Sequence, residues 1–92
     1  MNSQFLNQKT PNEIAKSLAN KIKERRKKLK ISQETLAQKS GVSLGSIKRF
    51  ETKHEISLHA LIKIAIALDL DGDFDNLFST QTYASIDEVI RG

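Results

Sequence analysis

The sequence predicts an all-α fold: a compact arrangement of five helices with a short C-terminal tail. Three observations carry this. Apolar residues recur at helical spacing, and a hydroxyl residue (Thr10, Ser32, Ser43 or Ser57) stands ahead of each main apolar run. No stretch alternates apolar and polar residues as a half-buried strand does.

Each helix has its own start signal. Thr10-Pro11-Asn12-Glu13 supplies a capping hydroxyl, a proline at the first helical position and a glutamate at the third. The helix it opens runs to about Leu29, with Ala15, Leu18, Ala19, Ile22, Arg26 and Leu29 along one face. Ser32 caps a second helix, Gln33 to Lys39, which buries Leu36 and Ala37. Ser43 caps a third, Leu44 to about Thr52, with Ile47 and Phe50 inward, and Ser57 caps a fourth, Leu58 to about Leu68. Asp71 or Asp73 caps a single helical turn over Phe74 to Phe78. Residues 1–9 read as a flexible arm, 10–78 as the folded domain and 79–92 as the tail. Within the tail, Ser85-Ile86-Asp87-Glu88 opens a short helical stripe of Ile86, Val89 and Ile90.

Size and composition exclude much. A chain of 92 residues allows one domain, and at that size only about 60–65% of the unfolded surface is buried. A deep, water-excluded catalytic cleft is not expected. The absence of cysteine excludes disulfides, thiolate zinc sites and thiol nucleophiles. The longest apolar stretch, Ala60 to Leu70, is interrupted by Lys63 and Asp69, far short of the ~20 residues that span a bilayer. Met1 to Lys9 contains no apolar leader, so the expected location is cytoplasmic. The net charge of +4 conceals an asymmetry. Residues 1–68 carry 14 basic and 5 acidic side chains, residues 69–92 carry 1 and 6. A basic body with an acidic tail points to a polyanionic partner held by the body alone.

The stretch Gln33 to Phe50 is the most informative. Two short helices meet across Ser40-Gly41-Val42, a connection too short for antiparallel packing. Ala37 occupies the closest approach, and Gly41 supplies a position needing positive φ, where a Cβ costs about 1 kcal/mol or more. Leu36, Val42, Ile47 and Phe50 fill the wedge. A small residue, a glycine and apolar residues at these offsets are the spacing of a helix-turn-helix.

From about Ile22 to Phe78 the chain resembles the Cro and phage-repressor (Xre) family of helix-turn-helix DNA-binding proteins. The carriers are Arg26, Ile31-Ser32-Gln33, Leu36-Ala37, Gly41-Val42, Ile47, Glu51, Ser57-Leu58, Leu61, Ile64-Ala65 and Ala67-Leu68. The resemblance implies a five-helix repressor-type domain whose third helix enters the major groove of double-stranded DNA while the second crosses the backbone. It also implies a homodimer on a palindromic operator and repression of transcription, including that of its own operon. Arg26 and Glu51 should form a largely buried pair by the same resemblance; a phosphate contact within the basic run Lys21 to Lys30 is the alternative for Arg26. The sequence departs from the family after Glu51, where Lys53 stands in place of a usual glycine, so phosphate contacts beyond His54 are not expected. The stretch from Phe50 to Phe78 is also similar to small regulators encoded beside HipA-type toxin kinases. That implies an antitoxin with a kinase partner. The alternatives are a stand-alone repressor, or an interaction module that mainly neutralises a partner enzyme.

Helix geometry selects the readers. With Ile47 and Phe50 inward, Gly45, Lys48, Arg49 and Thr52 face outward, and Ser43 and Leu44 lie at the penetrating tip. Ser43, Leu44, Gly45, Lys48 and Arg49 are the candidate base contacts; Arg49 can donate two hydrogen bonds to guanine O6 and N7, and Leu44 can pack on a thymine methyl. Ser32, Gln33, Ser46, Thr52 and Lys53 are the candidate phosphate contacts. The bland alternative is that Lys48 and Arg49 are simply solvated.

A second surface lies on the fourth helix. With Leu61, Ile64, Ala65 and Leu68 as the core stripe, Ile62 and Ile66 are left facing outward. Either the C-terminal Phe74, Leu77 and Phe78 cover them, or these residues together form a dimer or partner surface. Two decoys carry no site. Asp69, Asp71, Asp73 and Asp75 alternate like a calcium loop but lack its glycine and its bidentate glutamate, and His54 and His59 have no cysteine nearby. No metal, cofactor or enzymatic activity is expected, nor a membrane partner, and the lack of aromatic residues near the basic run argues against RNA.

Overall fold

The computed structural model describes residues 9–79. The arm before them and the expected helical stripe at Ile86, Val89 and Ile90 lie outside the described residues. Among the described residues five helices follow in order: α1 (Pro11–Lys28), α2 (Gln33–Ser40), α3 (Leu44–Lys53), α4 (Leu58–Ala67) and the single turn α5 (Gly72–Asp75). Among the described residues there is no strand.

The starts follow from local chemistry. The Thr10 N–H donates to Glu13 Oε1 at 2.8 Å and the Glu13 N–H to Thr10 Oγ at 3.1 Å, a reciprocal capping box. These bonds, the backbone one foremost, hold the Glu13 carboxyl below its ordinary range. The contribution of the Glu13 carboxylate to the cap is therefore present above the unfolded carboxylate range and is lost as pH falls through the lowered value, while the Thr10 hydroxyl bond does not titrate. Ser32, Ser43 and Ser57 each accept the N–H three residues on, from Thr35, Ser46 and Ala60, satisfying donors that a helix start otherwise leaves orphaned.

The ends are less conventional. Gly41 takes φ 74° after α2, but Lys30 (φ 59°), His54 (φ 65°) and Asp69 (φ 61°) adopt the same left-handed conformation while carrying a Cβ. At Lys30 the chain closes a doubled bond: its N–H donates to Lys27 O at 2.9 Å and that of Ile31 to Arg26 O at 3.1 Å. Asp69 and Leu70 repeat this on Ile66 O and Ala65 O. Tertiary packing holds these corners, since the next residue in each case, Ile31 or Leu70, packs against the core.

Leu36, Ile47, Ile64 and Leu68 are fully buried, joined by Ala19, Ile22, Val42, Phe50 and Leu61. At about 1.5–3 kcal/mol per buried large side chain, this cluster dominates stability. Helix α2 packs on both α3 and α4, and α1 packs on α3. Four expectations need correcting. Leu18 and Leu29 are each 40% exposed, so the inner stripe of α1 narrows to Ala19, Ile22 and Arg26. Leu18 instead borders an open apolar groove of about 190 Å³ with Leu58, Leu61, Phe74 and Leu77. Ile62 is half-buried, leaving Ile66 as the exposed isoleucine of α4. The last turn starts at Gly72, two residues before Phe74, because Asp71 is already helical (φ −62°, ψ −31°). For the same reason the Asp71 side chain caps nothing, and Asp73 lies inside the turn.

Two stability outcomes follow. Lys30→Gly removes left-handed strain and raises stability by about 0.5–1 kcal/mol in urea titration, whereas an unchanged midpoint would mean the corner is unstrained. Ala37→Leu overpacks the α2–α3 crossing and lowers stability by about 1–3 kcal/mol in the same titration.

Candidate nucleic-acid interface

The interface is built around α3. Its inner face is anchored by Ile47 and Phe50, and its last turn by Glu51, which is buried. Arg26 of α1 donates from Nε to Glu51 Oε2 at 2.9 Å and from Nη2 to Oε1 at 3.1 Å. Its Nη1 donates to Ile31 O at 2.8 Å, in the loop before α2. Gln33 of α2 adds Nε2 to the same Glu51 Oε1 at 2.9 Å. One carboxylate thus receives donors from α1 and α2 and fixes the end of α3 against both. The phosphate alternative for Arg26 is excluded in this arrangement, since its side chain is 10% exposed and faces inward.

The outer face of α3 stands free. Ser43, Gly45, Lys48, Arg49, Thr52 and Lys53 are exposed, and Leu44 and Ser46 are half-buried at the tip. Ser32 is exposed at the start of α2, while Gln33 is half-buried. The geometry thus gathers the expected base-facing residues along one side of α3. Several polar groups there are already engaged within the protein. Ser43 donates to Ser46 Oγ at 2.8 Å, Thr52 donates to Lys48 O at 2.8 Å, and Gln33 is turned toward Glu51. Among the described residues Lys48 and Lys53 have no ion-pair partner. Gly45 has open space where a Cβ would stand, so the helix surface is lowest beside the tip.

Besides the Gln33–Glu51 bond, two contacts escaped the sequence reading. Arg49 Nη2 donates to Glu55 Oε1 at 2.6 Å, across the left-handed turn at His54. Arg25, one of the basic run, donates from Nε to Leu68 O at 3.1 Å, tying α1 to the end of α4. Helical periodicity could signal neither, because each crosses the end of a helix.

A family model described as Helix-turn-helix matches residues 22–74, more than half of the chain. The chain belongs to the helix-turn-helix family, in its Cro and phage-repressor (Xre) type. The match takes in the buried pair, both helices of the motif, α4 and the opening of α5. Comparison with curated proteins and with solved structures finds no match to either. Membership makes this helix-turn-helix chain a DNA-binding regulator of transcription, in a family that is regulatory rather than enzymatic. Among the described residues no helix is long and apolar enough to cross a membrane.

The anchoring carboxylate gives a direct outcome. Glu51→Ala leaves Arg26 buried without its counter-charge and lowers stability by about 3–5 kcal/mol in chemical denaturation. A loss below ~1 kcal/mol would show that the pair does not hold α3.

Proposed function

We propose that this chain is a sequence-specific repressor that binds a palindromic operator in double-stranded DNA as a homodimer, inserting α3 into the major groove. The observation that carries the proposal is the division of α3: one side locked by Ile47, Phe50 and Glu51, the other exposing Gly45, Lys48 and Arg49. In this reading Arg49 reads guanine, Leu44 and Ser43 contact bases at the tip, and Lys48 reaches a base edge. Ser32, Ser46, Thr52 and Lys53 hold phosphates, together with the N–H groups at the start of α2. Gln33 contributes by bracing Glu51. Binding draws its affinity from counterions released by Lys and Arg, so it weakens steeply as salt rises. The site of action is the cytoplasmic nucleoid.

The dimer reading is supported by the exposed apolar residues on the side of α4 and the C-terminal turn. Ile66 is 57%, Leu77 53% and Phe78 93% exposed, while Phe74 packs against the core and Ile62 is half-buried. Autoregulation, and an antitoxin role with a HipA-type kinase as partner, rest on the sequence resemblance; co-purification with a kinase encoded beside the gene tests the latter.

Selection of duplexes from a random pool by the purified protein is the test of the whole. It should enrich two inverted half-sites about one helical turn apart, and enrichment of nothing would contradict it. On the enriched duplex Arg49→Ala should cost ~1–3 kcal/mol and relax preference at one base pair per half-site. Lys53→Ala should instead weaken all duplexes alike and reduce the salt slope by about 1.

A further inference from the structure

The loop after α3 brings an acid to the face that meets DNA. Glu55 follows left-handed His54, which turns the chain back beside the helix, and its Oε1 accepts from Arg49 Nη2 at 2.6 Å. Both side chains stay open to solvent, 66% exposed for Arg49 and 63% for Glu55. An exposed pair of this kind adds little to stability. Its position is what matters. A carboxylate beside a helix that approaches phosphates opposes sequence-independent binding.

The bond leaves the arginine competent. A guanidinium carries five N–H donors, so one given to Glu55 leaves four, and a fork to guanine O6 and N7 needs two. An unrestrained arginine samples many rotamers that binding must freeze; a carboxylate already holding it removes part of that entropy loss. We infer that Glu55 is a specificity-determining positioning residue: it orients the Arg49 guanidinium for guanine, and its charge penalises duplexes that offer Arg49 no such partner. The inference rests on the reading of Arg49 as a base contact.

The experiment uses the full chain as wild type, Arg49→Ala, Glu55→Gln and the double variant. Affinities are measured on the duplex that the wild type enriches from a random pool, on that duplex substituted at each position in turn, and on random-sequence DNA. Because both residues are exposed, unchanged melting of the variants serves as the control for folding. Glu55→Gln should reduce discrimination by roughly three- to tenfold at the same base pair that Arg49→Ala relaxes, and only there. Its affinity for random-sequence DNA should be equal to the wild type's or tighter, and the double variant should be no more relaxed than Arg49→Ala alone. If Arg49→Ala relaxes a position but Glu55→Gln tightens every duplex equally, Glu55 is only a repelling charge and the inference is overturned. If Arg49→Ala relaxes no position, the reading of Arg49 fails first and the inference falls with it.

Discussion

A single buried carboxylate organises the DNA-binding half of this molecule. Glu51 takes three hydrogen bonds, two from Arg26 and one from Gln33, while Arg26 also reaches Ile31 O. Desolvating two charges is expensive, and a buried pair offsets that expense only with good geometry and with its remaining donors and acceptors satisfied. Here those conditions are met, and among the described residues no buried side-chain nitrogen or oxygen lacks a partner. An apolar trio of equal volume would serve stability as well. It would not fix direction: charge-assisted, two-point bonds define where the end of α3 sits relative to α1 and α2 far more narrowly than apolar contact does. The base reading proposed for α3 needs that definition, because hydrogen bonds to base edges depend on distance and direction.

The corners reinforce the same rigidity. Lys30, Gly41, His54 and Asp69 all take left-handed conformations where helices end, and the short connections leave little freedom between elements. Three of the four carry side chains at positions that glycine would occupy without strain. At Lys30 and Asp69 the fold tolerates this because Ile31 and Leu70, each following such a corner, pack against the core. Stability is thus given up locally where chain direction is set.

Local signals were the legible part. The caps at Thr10, Ser32, Ser43 and Ser57 are readable because each needs only a hydroxyl three residues before an amide. The wedge of Leu36, Val42, Ile47 and Phe50 about Gly41 was readable because sequence offset determines which face each residue occupies. What sequence could not convey is contact made around a break in periodicity. Glu55 meets Arg49 only because His54 turns left-handed, a conformation that histidine adopts more often than most residues but that its presence alone does not specify. Gln33 turned to Glu51, 18 residues away, where its place at a helix start suggested phosphate. The buried pair itself came through family resemblance, with the apolar face of α1 as its local support. The offset of α5 has the same origin, since Asp71 continues a turn begun at Leu70 instead of starting one.

Insertion of α3 into the major groove is tested most directly by methylation interference on the enriched duplex. Dimethyl sulfate marks guanine N7 in the major groove and adenine N3 in the minor groove. Guanine N7 methylation should abolish binding at two clusters about one helical turn apart, with adenine N3 methylation between them tolerated. Interference confined to adenine N3 would place the protein in the other groove and contradict the account.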